Sequence, residues 1–410
     1  MKIWIRLLVG AVIGVVLGVF LPESGGDTSE FFRSVSDFVI HVGRYLLFPL
    51  VFFGVAIATH ELREAGKSLL VYGKTLGLII ATTAVMAVLG TVSVLVLSPA
   101  RVPPIFQEAP VQELPSFVEL LYRLVPTNLF ETFAQPGDFL LPVTLVAILI
   151  GVALRSEESN AGPLVNVLNA ASRVFYRLNS FVIEVLAIGV IALAAAFVFD
   201  LRAITDFEIY SQLVIVILFD TGFMVFIVFP LILYFLTGRE NPFVWLFANI
   251  GPAVSAVFSG DSYFSTPTLM KAGKENLGIP RSVGSPAFSL ATVLGKAGTA
   301  LVTGASFVLI LRSYTALEIA LPQVLWVMGA TFLFSFLLGS VPGMGVLVAL
   351  SLLSSAYGRG MEEVFLILRP VSGLLISIGV FLDVITASFI GYVVAYSERM
   401  RRSVHQADFM

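Results

Sequence analysis

The chain alternates long apolar runs with short polar breaks. Residues 3–21, 69–97, 181–199 and 211–236 are apolar almost throughout, and each approaches or exceeds the about 20 residues that carry a helix across a bilayer. One such run could be a buried helix of a soluble domain, but this many predicts an all-α polytopic membrane protein. The first run follows Lys2 but has no small-residue cleavage site, and another apolar run follows soon after, so it reads as a retained first helix. Two further stretches are hydrophobic yet broken at their centres by small and polar residues, 258–268 (FSGDSYFSTPT) and 339–345 (GSVPGMG). Backbone groups freed in such breaks cannot face lipid, so both stretches are expected to line a cavity as tips of re-entrant hairpins. Paired broken segments of this kind point to a binding site near the membrane midplane. Between them, Gly295 and Gly298 flank Lys296 in an otherwise apolar helix, which is expected to unwind there.

The distribution of cations orients these segments. Lys2 and Arg6 border the first helix, Arg63, Lys67 and Lys74 follow the second, and Arg155, Arg173 and Arg177 follow the fourth. Lys and Arg collect in cytoplasmic loops, so these segments are expected inside. The acidic loop at 23–30 and the proline-bearing segment 101–138 then fall outside. The arginine-rich tail at 398–402 places the C-terminus with the N-terminus in the cytoplasm, which requires an even number of crossings.

Composition narrows the function. The residues AVILMFWYC make up 58% of the 410 positions and charged residues 12%, a balance that makes lipid the solvent of this fold. The absence of cysteine excludes disulfides, thiolate metal sites and cysteine nucleophiles. The net charge of −3 comes without a basic block, which argues against nucleic acid. No HExxH, GxSxG or P-loop pattern occurs, so hydrolytic and nucleotide-driven chemistry lack a carrier, and neither a cofactor nor a metal is expected.

Two charges stand out inside apolar helices, Lys296 and Asp383. A lysine at membrane depth costs about 2.5–3.5 kcal/mol on insertion scales, so it must be paired or face water. Mutual pairing would relieve both residues as a salt bridge holding two helices together; the functional alternative is a role in coupling. Asp220 and Glu184 also interrupt apolar runs and could face the bundle interior. His41 and His60 fall at helix ends, where an interfacial role is the simpler reading.

At these positions the sequence resembles the dicarboxylate/amino acid:cation symporter family over nearly its whole length. RYLLFPLVFF at 44–53 is similar to that family's second-helix signature, and LVPTNLFE at 124–131 to its (I/V)P(S/T)N segment. Pro267 with KENLGI at 274–279 resembles the outgoing arm of the first hairpin, and VPGMG at 341–345 the tip of the second. The resemblance implies eight transmembrane helices plus two re-entrant hairpins, assembled as a homotrimer of independent protomers that work by an elevator mechanism. Residues 1–66 and 104–206 would form the fixed scaffold, and residues 67–103 and 207–400 the moving transport domain. The hairpin near Ser262 would be the inner gate and that near Gly343 the outer one. Ser262, Val341, Gly345, Thr299, Asp383 and Thr386 fall on positions that contact solute, with Lys296 and Asp383 as candidate coupling residues.

The departures from the family pattern are concentrated at the ion sites. Where the family has Asn-Met-Asp-Gly-Thr in its unwound seventh helix, this chain has Gly295, Lys296, Ala297, Gly298 and Thr299. In the last helix Asp383 is retained, Thr386 replaces the arginine that holds a side-chain carboxylate, and Ile390 and Val394 replace the later Asn and Asp. Sodium needs a cage of oxygen ligands. Thr82 and Thr83 match ligand positions on the third helix, but hydroxyls alone do not neutralise a buried cation. Lys296 is therefore expected to act as a tethered substitute for the ion. The resulting expectation is a bacterial inner-membrane transporter or exchanger of an amino acid or related small polar solute, surrounded by lipid and not driven by sodium, with protons as the alternative coupling ion. The competing class is a passive channel or structural membrane protein that kept the fold and lost coupling.

Overall fold

The computed structural model describes residues 2–22, 27–103, 114–124, 128, 131–134, 139–156, 161–238, 240–315, 319–358 and 360–410. Residues 23–26 of the acidic loop, half of 101–138 and five of the eight residues of the 124–131 motif lie outside these. The described chain is helical, in the order α1 (Ile3–Phe20), α2 (Asp27–Tyr45), α3 (Leu47–Glu64), α4 (Ser68–Leu97), α5 (Phe117–Leu124), α6 (Glu131–Ala134), α7 (Leu140–Ser156), α8 (Gly162–Arg202) and α9 (Phe207–Phe223). A π-helical turn, Met224–Val228, joins α9 to α10 (Phe229–Leu236). There follow α11 (Phe243–Ala248), α12 (Ile250–Ser259), α13 (Ser262–Glu275), α14 (Arg281–Leu294), α15 (Ala297–Tyr314), α16 (Leu321–Ser335), α17 (Gly345–Tyr357) and α18 (Ser372–Ser397).

Seven segments among the described residues are long and apolar enough to cross a membrane: Ile3–Phe20, Thr28–Glu64, Ser68–Leu97, Gly162–Arg202, Phe207–Leu236, Arg281–Tyr314 and Val364–Ser397. The shorter apolar α7 supplies the eighth expected span. Pairs α12–α13 and α16–α17 are the two helical hairpins. The apolar run at 181–199 is only the distal half of α8, whose first half carries Arg173 and Arg177.

Burial sorts these helices into shells. The apolar stretches of Arg281–Tyr314 and Val364–Ser397 are 94% and 83% buried, whereas that of Ile3–Phe20 is 33% buried, so α14, α15 and α18 form the centre. Helix α18 packs against α12, α13, α14, α15 and α17. At the periphery, Gly10, Gly14 and Gly18 of α1 form one small-residue face against α8. A Cβ at Gly10 would sit 2.6 Å from the Ala187 carbonyl oxygen, so hydrogen is the only side chain that lets the helices approach this closely. Glu184 is half-exposed and makes a 3.9 Å ion pair with Arg6; it faces outward beside α1 and not into the bundle. His60 is buried beside Glu64 at 3.3 Å, and the exposed His41 bonds the Asp37 carbonyl at 2.7 Å.

The two ends of the chain meet on one side of the bundle. Lys2 Nζ donates to the Ala407 carbonyl at 2.6 Å, and the Met410 amide to Asn276 Oδ1 at 3.0 Å. Nearby, Lys74 Nζ lies 2.5 Å from Glu398 Oε1, and Lys67 Nζ donates to the Glu398 carbonyl at 2.7 Å. The Lys74 hydrogen bond, reinforced by the charges of Lys74 and Lys67, holds the Glu398 carboxyl below the usual carboxylate range against the opposing effect of burial. A carboxylate with a lowered native pKa contributes stability that is fully present above its unfolded pKa and is lost as pH falls through the native value. Glu398→Gln is therefore expected to lower the melting temperature at neutral pH and to flatten its fall on acidification, as read by thermal unfolding across a pH series.

Candidate solute site

The tip of the first hairpin is built by one glycine and one aspartate. Gly260 ends α12 in the left-handed conformation, φ +59°, which a side chain would oppose. Asp261 then caps α13, its Oδ1 accepting from the amides of Tyr263 at 2.7 Å and Phe264 at 2.9 Å, the standard way to satisfy first-turn donors. Its other oxygen accepts from the Arg44 guanidinium on α2. Asp261 is buried and Arg44 a quarter exposed.

The second hairpin comes down onto this tip. Gly343, φ +78°, lies so close that a Cβ there would be 3.5 Å from Asp261 Oδ2 and 3.7 Å from the Gly260 carbonyl oxygen. Tyr263 ties the tips further: its hydroxyl donates to the Gly339 carbonyl at 2.5 Å and accepts from the Leu140 amide at 3.0 Å. The tips meet as the two sequence breaks predict. Above them, a cavity of about 460 Å³ runs toward Arg33 and Asp200.

Beneath the tips the helix is unwound where expected. Helix α14 ends at Leu294 and α15 begins at Ala297, leaving Gly295 and Lys296 between them. Lys296 is 4% exposed and its Nζ donates to Ser262 Oγ at 2.6 Å. Asp383, 3% exposed, accepts from Thr299 twice, Oδ1 from the amide at 3.0 Å and Oδ2 from the hydroxyl at 2.7 Å. Its negative charge thereby sits on the first turn of α15, the positive end of the helix dipole. Lys296 and Asp383 form no ion pair within 4 Å. The simple salt bridge is thus not what holds these helices; each charge has its own hydroxyl partner, on a different element.

The other candidate residues are less closely tied in. A Cβ at Gly345 would lie 3.3 Å from Thr299 Cγ2, so hairpin 2 touches this cluster through bare backbone. Val341 is half-buried at the tip. Thr386 is fully buried, and its hydroxyl donates to the Leu382 carbonyl of its own helix at 2.7 Å. Ile390 and Val394 are buried apolar residues of α18. Thr82 bonds back to Leu78 at 2.7 Å, and the buried Thr83 hydroxyl has no hydrogen-bond partner among the described residues. No three His, Cys, Asp or Glu side chains come together as a metal-binding set among those residues.

Residues 3–397 match the sodium:dicarboxylate symporter family. The chain belongs to that family. The relatives compared are distant. A C4-dicarboxylate transport protein of Janthinobacterium sp. (strain Marseille) is 24% identical over 394 residues, covering 92% of this chain and 84% of the relative. A protein of the same name from Rhodospirillum rubrum is 25% identical over 294 residues, covering 68% of this chain, and the aligned stretch is 63% of the relative's length. Neutral amino acid transporter B(0) of Oryctolagus cuniculus is 22% identical over 336 residues, 72% of this chain and 62% of that protein. Family and relatives are named for transport, not for catalysis.

Sequence reasoning placed Arg44 and Asp261 in separate motifs and did not join them. The usable signal was an aspartate immediately before a helix start, with one arginine opening an otherwise apolar signature. Asp220 lies in the interior that its apolar neighbours allowed for it, buried on α9, beside Ser93 of α4 and one turn before the π-helical segment. One of its carboxylate oxygens has no hydrogen-bond partner among the described residues.

Gly298 sets how closely α15 approaches α18. A Cβ there would lie 2.5 Å from Leu382 Cβ and 2.8 Å from the Asp383 amide nitrogen, and backbone cannot step aside as a flexible side chain does. Gly298→Ala is expected to cost about 1–3 kcal/mol through overpacking and to pull Thr299 off Asp383. Thermal unfolding of the purified variant reads the first effect, and loss of solute-induced stabilisation reads the second.

Proposed function

We propose that this protein is a secondary transporter of small carboxylates, C4-dicarboxylates foremost, which uses Lys296 where its family uses sodium. The observation that carries the reading is the placement of Lys296: a buried side chain at the hairpin tips whose Nζ is bonded only to a neutral hydroxyl, with no carboxylate within 4 Å among the described residues. A buried cation without a counter-ion is costly, and an anionic solute relieves that cost in a way a zwitterion or neutral solute does not. Asp383, engaged twice by Thr299, offers less to a solute ammonium group than the sequence implied. The relatives named as C4-dicarboxylate transport proteins support the same class. Transport of a neutral amino acid, with its ammonium on Asp383, is the second reading, favoured by the retained Asp383 and by the relative named for that substrate.

The movement follows from which residues bond across the bundle. With 1–66 and 104–206 as scaffold and 67–103 and 207–400 as transport domain, the Arg44–Asp261 pair crosses the boundary and latches hairpin 1 to the scaffold. A homotrimer would fix the scaffold while each transport domain slides. Both termini and the cations Lys2, Lys67, Lys74 and Arg402 gather at one end of the bundle, which supports a cytoplasmic position for that end in a bacterial inner membrane. The loaded carrier crosses with Lys296 neutralised by solute. The empty carrier returns with its ammonium deprotonated, which links net uptake to protons.

Proteoliposomes preloaded with unlabelled succinate test this by counterflow in sodium-free buffer. Labelled succinate is expected to enter by a saturable process, and in liposomes without internal succinate an inward proton gradient is expected to accelerate its net uptake. Counterflow of alanine but not succinate would establish the second reading, and a flux that does not saturate would make the protein a channel.

A further inference from the structure

Away from the hairpin tips, a cavity of about 350 Å³ opens between α3 and α8 on one side and α13 and α14 on the other. Four cations line it, Arg173, Arg177, Lys274 and Arg281, and no carboxylate does. Two of the four are held from behind. Lys274 Nζ sits 3.7 Å from the centre of the Tyr176 ring, whose hydroxyl donates to Glu275 at 2.7 Å. Arg281 donates to Asn169 Oδ1 at 2.9 Å and pairs with Glu61. These contacts preorient the two head groups toward the cavity at its walls.

Arg173 and Arg177 are different. They stand four residues apart on α8, where like charges face each other and repel, and neither has an acidic partner within 4 Å among the described residues. The same two arginines also border a second, apolar furrow of about 350 Å³ formed with Val174, Leu178 and Phe181, all three exposed. A charged cavity and an apolar groove thus share one pair of arginines. This matches an amphiphile with an anionic head and a hydrocarbon tail, and basic pockets between membrane helices at the positive end of a bundle suit such head groups.

The geometry points to a binding site for the phosphate of an anionic phospholipid, with Arg173 and Arg177 as its bidentate ligands, Lys274 and Arg281 completing the cage, and an acyl chain along the furrow. The site is separate from Lys296 and Asp383 and does not depend on which solute is carried. Because its walls come from α3 and α8 and from α13 and α14, a bound headgroup ties these two sets of helices together.

The test is thermal unfolding of the purified full chain in detergent supplemented with phosphatidylglycerol, with phosphatidylcholine, or with inorganic phosphate. Phosphatidylglycerol is expected to raise the melting temperature of the wild type by several degrees, phosphatidylcholine and phosphate hardly at all. The Arg173→Gln, Arg177→Gln double variant is expected to lose most of that rise, and Arg173→Lys, Arg177→Lys to keep part of it. Native mass spectrometry supplies a second readout for a variant that unfolds early: fewer phosphatidylglycerol molecules retained per chain than in the wild type. An equal rise in the double variant, with equal lipid retention, would overturn the site. An equal rise with inorganic phosphate would make it a free-anion site and overturn the lipid assignment.

Discussion

Lys296→Met is expected to abolish succinate counterflow in proteoliposomes while leaving the protein folded. Methionine keeps the length and apolar volume of the side chain and removes only its charge, so the variant isolates electrostatics. Truncating one partner of a buried, hydrogen-bonded charge pair costs about 2–5 kcal/mol, and each 1.4 kcal/mol is a factor of about ten in affinity. Binding of succinate should weaken by about 30-fold to several-thousand-fold. Stability should move the other way or not at all, since the variant removes a buried ammonium whose only bond is to Ser262. The melting temperature of unliganded Lys296→Met therefore separates a solute-binding lysine from a structural one. A structural lysine would give a destabilised protein, and wild-type counterflow in the variant would remove Lys296 from the mechanism.

Arg44→Ala is expected to have the second largest effect, on the state the protein occupies. Asp261 is buried at the hairpin tip and keeps its two capping bonds to Tyr263 and Phe264 when Arg44 is lost, but its charge then has no cation beside it. Breaking a buried pair by removing one partner costs about 3–5 kcal/mol. The partial exposure of Arg44 places the expected value at the low end, about 3 kcal/mol. On an elevator mechanism that cost falls on the arrangement in which α2 holds the tip, so the population should shift toward others. The chain has no cysteine, so spin labels on Leu164→Cys and Leu333→Cys, two exposed positions on α8 and α16, report the distance between the two bodies without further changes. A broadened or displaced distance distribution in Arg44→Ala is expected. In Arg44→Ala with Asp261→Asn, where asparagine keeps the cap without the charge, stability should partly recover. An unchanged distribution would mean that the pair is not a latch.

The fold was legible because membrane helices announce themselves by length and hydropathy, and re-entrant tips by the polar residues that interrupt them. The break at residues 258–268, the break at 339–345 and the unwinding at Gly295 and Lys296 all fall where glycine and polar residues made a continuous helix expensive. What the sequence did not show was pairing in space. A salt bridge between Lys296 and Asp383 was one of two readings open to charges in apolar runs, yet the unwound segment directs Lys296 to the hairpin at Ser262 and gives Asp383 to Thr299. Arg44 and Asp261 are 217 positions apart, and no periodicity reports such a contact. Glu184 looked interior from its apolar neighbours, but the small-residue seam between α1 and α8 turns it outward beside Arg6.

If a tethered ammonium takes the place of bound sodium, solute affinity is independent of sodium. Equilibrium binding of succinate to the purified wild-type protein, measured by calorimetry over a sodium series at constant ionic strength and pH, tests it most directly. If sodium sites were coupled to the solute, linkage requires each ligand to raise the affinity for the other. The expected dissociation constant does not change along the series. A constant that falls steeply as sodium rises would contradict it.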